Sequence, residues 1–141
     1  MEPLTLLWQR HPLIFCHLLM AVGALLLGAW MLWARKGDTL HRRLGWAWAG
    51  LMGGTALSSA FILDTGMPNI AGFTPIHAFT LLVAVQLPRG IRHARAGRVA
   101  EHRRVMRGLY KGGCLVAGLF TLLPGRFLGT LLWQHTLGLT A

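Results

Sequence analysis

Residues 12–34 form an unbroken apolar run whose single ionisable member is His17. A run of this length meets the roughly 20 residues that a helix needs to cross the hydrocarbon core of a bilayer. Inside hydrocarbon every backbone polar group must be satisfied within the protein, so such a run can only be a helix or a strand of a closed barrel. Residues 44–63 make a second run of the same kind, residues 76–87 a third and residues 105–123 a fourth. The third is too short to cross alone. It must continue through residues 88–93, with Arg89 and Arg92 extending their charged ends toward the interface.

The pattern therefore predicts an all-α fold. It is an integral membrane four-helix bundle, a single domain over residues 1–141 with spans at 12–34, 44–63, 76–93 and 105–123. After Pro124, residues 127–133 either extend the fourth helix past a kink or lie along the interface. Composition agrees, because 54% of the residues are hydrophobic and 13% charged, whereas charged residues make up about 25% of a soluble domain. The first run does not fit a cleaved signal peptide, which has a basic start and an apolar stretch of about 7–15 residues. This one follows Glu2 and is longer, so the expectation is an intact polytopic chain with no separate soluble domain.

A net charge of +10 suggests nucleic acid, but the placement of the charges argues otherwise. Of the 14 Lys and Arg, all but Arg10 and Arg126 lie in or beside the first-to-second and third-to-fourth connections. Those connections share one membrane face, and the excess of positive charge places that face in the cytoplasm, with both termini outside. Topology and anionic lipid headgroups account for the basic patch, each surface Lys or Arg gaining about 1 kcal/mol there. Trp8, Trp30, Trp33, Trp46 and Trp133 fall near span ends, as an aromatic belt requires. Cys16 and Cys114 lie at different depths, which argues against a disulfide and for small core residues.

Four histidines punctuate this apolar chain twice in the same way. His17 and His41 are separated by nearly the same interval as His77 and His102, and each second member opens a His-Arg-Arg tripeptide. The topology puts His17 and His77 toward the outer face and His41 and His102 at the inner one. The chain thus reads as two helical hairpins in tandem, a known way of building membrane folds. His17 lies about 7 Å below the outer end of its span at the helical rise of ~1.5 Å per residue.

Ionisable residues inside spans are rare, and they mark functional sites by default. Neutral imidazole ligates haem iron, and two imidazoles from neighbouring helices can clamp one porphyrin within a bundle. Gly23, Gly28, Gly53, Gly54, Gly112, Gly113 and Gly118 are candidates for giving the macrocycle room, and they equally suit plain helix packing. Arg42, Arg43, Arg103 and Arg104 suit haem propionates or lipid phosphates. The simpler alternative is that a span histidine bonds to Ser58, Ser59 or a backbone carbonyl and binds nothing. Asp64 with His17 and His77 gives an alternative metal set of two histidines and a carboxylate, and Asp64 with His77 also suits a proton relay. No nucleophile with an adjacent base, P-loop, dinucleotide fingerprint or CxxC motif occurs.

The segments 37–48 (GDTLHRRLGWAW), 72–77 (GFTPIH) and 102–126 (HRRVMRGLYKGGCLVAGLFTLLPGR) resemble a bacterial family of small predicted membrane proteins, domain of unknown function 2306. The likeness runs from the first span to Arg126. It implies a four-helical, membrane-embedded protein of the bacterial inner membrane and carries no established activity. By the family pattern the positions of interest are His41, Arg42, Gly45, His77, His102, Arg103, Met106, Tyr110, Pro124 and Arg126. Arg107 stands where many relatives have an apolar residue, which weakens the case for a tight apolar contact there.

Two expectations of different kinds follow. The first is a membrane redox component, carrying b-type haem or linked to quinone, with His17/His77 as the outer pair and His41/His102 as the inner pair. The second is a non-catalytic accessory or assembly subunit, packed against a larger membrane complex through Trp- and Gly-rich faces.

Overall fold

The computed structural model describes residues 12–62, 75–122 and 129. Among these, every regular element is helical. Helix α1 spans Pro12–Trp33, α2 Thr39–Phe61 and α3 Pro75–Arg95. A fourth helical rod comprises α4 (Val99–Leu109), a π-helical segment (Tyr110–Val116) and α5 (Ala117–Thr121).

Local chemistry sets each junction. Pro12 and Pro75 open their helices, where the missing N–H would have had no partner and the fixed φ suits the first turn. At the end of α1, Lys36 Nζ donates to the carbonyls of Leu32 (2.9 Å) and Ala34 (3.2 Å), placing a cation on the negative end of the helix. Gly37 turns the chain at φ 93°, in the left-handed region that side chains avoid. Asp38 then caps α2, its Oδ1 accepting the His41 N–H at 2.7 Å. Helix α3 ends in a Schellman motif. Arg98 N–H donates to His93 O and Gly97 N–H to Ala94 O, with Gly97 at φ 71°.

Two hairpins are the packing units, α1 against α2 and α3 against α4. Helix α2 joins them through α3, and the π segment closes the arrangement against α1. The core between the helices consists of Ala24, Trp48, Met52, Val83, Leu109, Tyr110 and Cys114. At its centre the Trp48 indole N–H donates to Ala24 O (2.9 Å), and the Tyr110 hydroxyl donates to Leu25 O (3.3 Å). Both rings lie over Gly28, where a Cβ would stand 2.6 Å from Tyr110 Cδ2 and 2.7 Å from Trp48 Nε1. The bare backbone of α1 lets two large polar-tipped rings reach its carbonyls.

The distribution of side-chain size on α1 is inverted relative to a water-soluble helix. Its fully buried residues are Ala24 and Gly28, while Leu19, Leu26 and Trp33 are 57%, 65% and 88% exposed. Small residues inside and large apolar ones outside are what helix association in lipid selects, because hydrocarbon solvates Leu as well as a protein core does. Among the described helices, α1 is the one long and apolar enough, by length and composition, to cross a membrane. Glycine, serine and tryptophan lower the hydropathy of α2, and charged residues at its ends lower that of α3.

Helices α2, α3 and α4 extend further at the basic end than the apolar runs, while α1 stops at Trp33. Helix α2 starts at Thr39 and α4 at Val99, so both His-Arg-Arg tripeptides lie in opening turns of helices rather than in loops. Residues 127–133 have only residue 129 within the described set.

Candidate functional site

At one end of the bundle a line of hydroxyls ties three helices together. On α2, the Ser58 hydroxyl donates to Gly54 O at 2.8 Å, with Thr55 O at 3.1 Å. Its oxygen also lies 2.8 Å from His17 Nδ1 on α1. A hydroxyl has one proton, and the backbone carbonyls take it, so we assign the proton of this bond to the imidazole. His17 Nδ1–H donates to Ser58 Oγ, and the ring also hydrogen-bonds to the Thr55 backbone. Ser59, the next residue, donates to Ala56 O and pairs with Thr80 Oγ1 of α3 at 2.7 Å. His77 is half-buried in the opening turn of α3, three residues before Thr80. The partners the structure gives to His17 are therefore Ser58 and the Thr55 backbone, both on α2, and α2 stands between α1 and the helix that carries His77.

The other end gathers the inner histidines. His102 Nδ1–H donates to Gly90 O at 2.9 Å, which leaves its Nε2 unprotonated in the neutral ring. Gly90 is buried, and the Met106 and Val105 side chains fill the space where its Cβ would be. His41, in the first turn of α2, is held below the usual histidine pKa. Burial is the main cause, the charge of His102 and then Lys36 add to it, and Asp38 opposes it. His41 and His102 thus lie within electrostatic reach of each other. His41 Nδ1, His93 Nδ1 and Gln86 Oε1 are buried and have no hydrogen-bond partner among the described residues. His93 and Gln86 are absent from the sequence-based candidates, since nothing in an Arg-rich helix end distinguishes a buried histidine from a solvated one. Arg42, Arg43, Arg103, Arg104 and Arg107 are all exposed.

Beside His41 the turn between α1 and α2 encloses an open cleft of about 640 Å³. Trp30, Trp33 and Leu40 supply its apolar walls, and Arg35, Asp38 and His41 its polar ones.

Most of the candidate glycines face side chains of neighbouring helices. Besides Gly28, Gly23 faces Leu51, Gly54 faces Met20, Gly112 faces Leu82 and Gly113 faces Met52, all at or inside close contact for an added Cβ. Gly53 has Leu87 at 4.0 Å, and of the seven candidates only Gly118 has open space beside it. At Gly23, Gly28, Gly54, Gly112 and Gly113 the facing side chain fills the concavity, which is the helix-packing role. Among the described residues no group of three or more His, Cys, Asp or Glu is placed to hold a metal ion. Asp64, Trp8, Trp133, Pro124 and Arg126 lie outside the described residues. Cys16 is exposed and Cys114 buried, both as free thiols, and Cys114 Sγ contacts Met52 Sδ at 3.4 Å.

A family model described as a predicted membrane protein (DUF2306) matches residues 14–124. No curated protein and no solved structure matches the chain.

Proposed function

The chain belongs to the DUF2306 family of predicted membrane proteins, and from that premise we propose that it is an integral four-helix bundle of the bacterial inner membrane serving as a redox component. Both termini face the periplasm and the basic connections face the cytoplasm, where they meet anionic headgroups. Its electron carrier in this reading is a b-type haem at the outer end, with a lipid-soluble quinone as the alternative carrier. One observation supports it above the others. Within an apolar helix, the His17 ring is held by Ser58 Oγ at 2.8 Å from Nδ1, the kind of second-shell hydrogen bond that orients a metal-ligating histidine. His77, half-buried in the opening turn of α3, would be the second residue to hold the haem in this reading. The haem supplies one-electron chemistry. The protein's part would be to orient the two imidazoles, and Met20 over Gly54 is the flexible side chain that would give way.

A second reading has its own support. The filled glycines and the satisfied His17 Nδ1 are what a non-catalytic accessory subunit needs for rigid helix packing. An absorption spectrum of the detergent-purified chain, oxidised and then dithionite-reduced, separates the two. The redox reading expects a Soret band and a reduced α-band, both lost in His17→Ala, with a shifted reduction potential in Ser58→Ala. A folded, colourless protein from haem-sufficient cells sinks the haem form and leaves the accessory role.

A further inference from the structure

We propose that the cleft at the α1–α2 turn is a discrete binding site for one anionic phospholipid, its phosphate held by Arg35 and His41 and its acyl chains along Trp30 and Trp33. The proposal rests on the membrane reading and is independent of any haem.

The cleft is amphipathic in the sense such a ligand requires. Trp30 and Trp33 stand 49% and 88% exposed on the last turn of α1, where an apolar span meets the basic connection. Aromatic rings at that level sit between acyl chains and headgroups. The cations nearby are not equivalent. Lys36 is turned back onto the carbonyls of Leu32 and Ala34, so its charge serves the end of the helix. Arg35 lines the cleft and makes no hydrogen bond or ion pair among the described residues, leaving its planar fork of donors for a phosphate, the group it matches bidentately. Asp38 is the one anion in the lining, and its Oδ1 already accepts the His41 N–H. His41 closes the cleft on the α2 side, and its Nδ1 is buried with no partner among the described residues. A phosphate on the Arg35 side gives this imidazole a hydrogen-bond partner that the described residues do not provide.

Native mass spectrometry of the full chain in detergent, with dioleoylphosphatidylglycerol or dioleoylphosphatidylcholine added, tests the site. The expected result is a single adduct selective for the glycerol lipid. Occupancy should weaken roughly fivefold in Arg35→Gln, the loss of about one surface cation's attraction, and should fall in Trp33→Ala. Arg98→Gln, on the other basic connection, should leave it unchanged. Equal adducts of both lipids, or equal losses in Arg35→Gln and Arg98→Gln, overturn the site in favour of diffuse charge attraction. Displacement of the lipid by millimolar inorganic phosphate overturns lipid recognition and leaves a free-phosphate site. Carbonate extraction of native membranes reads the premise separately. Protein released by carbonate defeats the membrane reading, whereas retained protein without a selective adduct defeats only the site.

Discussion

Gly28 is where α1, α2 and the π segment meet. The rings of Trp48 and Tyr110 are 5% and 7% exposed and anchored to α1 carbonyls, so neither can move away from a new methyl group without breaking a hydrogen bond. Gly28→Ala is therefore expected to cost about 1–3 kcal/mol, the range for overpacking a filled core. Gly50→Ala, on α2 with nothing within 4 Å of the added Cβ, should be neutral or slightly stabilising. Thermal unfolding in detergent measures both, and equal shifts for the two variants would show that Gly28 is not a packing site. His41 makes a prediction of opposite character. Its pKa in the fold lies below the ordinary value near 6.5, so the unfolded chain takes up a proton first as the pH falls. Its contribution to stability is present above pH 6.5 and is lost as the pH drops from there toward the folded pKa. His41→Gln should flatten that part of the stability profile, and an unchanged acid slope in the variant would contradict the assignment.

At the level of elements, the apolar runs located the helices but not their ends. Hydropathy marks where a chain can meet hydrocarbon, whereas a helix continues for as long as caps and backbone hydrogen bonds support it. Asp38 starts α2 and the Gly97 turn starts α4, and both carry the His-Arg-Arg tripeptides into helical opening turns. The π segment from Tyr110 to Val116 was not legible at all. Its widened turn has no signature in the order of apolar and polar residues, and within it Gly112 and Gly113 pack against Leu82 on α3 and Met52 on α2. Among the tryptophans, Trp30, Trp33 and Trp46 are exposed near helix ends, while Trp48, two residues from Trp46, faces the core. A helical step of two residues turns a side chain to nearly the opposite face.

For the whole molecule, the proposed orientation has a direct consequence. Alkaline phosphatase fused after residue 141 should be active in intact cells, and green fluorescent protein inserted at Gly97 should fluoresce, since that connection faces the cytoplasm in this topology. The reverse pattern would invert the sidedness of both the histidine pairs and the lipid cleft. The helical class, the tandem hairpins and the polarity of charge between the two ends followed from the order of residues alone. Hydropathy and charge act on each segment against solvent or lipid and need no knowledge of its neighbours. Which polar group meets which was decided only by tertiary structure. A helical repeat fixes the face on which His17 or Gly28 lies but not what stands opposite, and so Ser58 became a partner of His17 and the rings of Trp48 and Tyr110 came to cover Gly28.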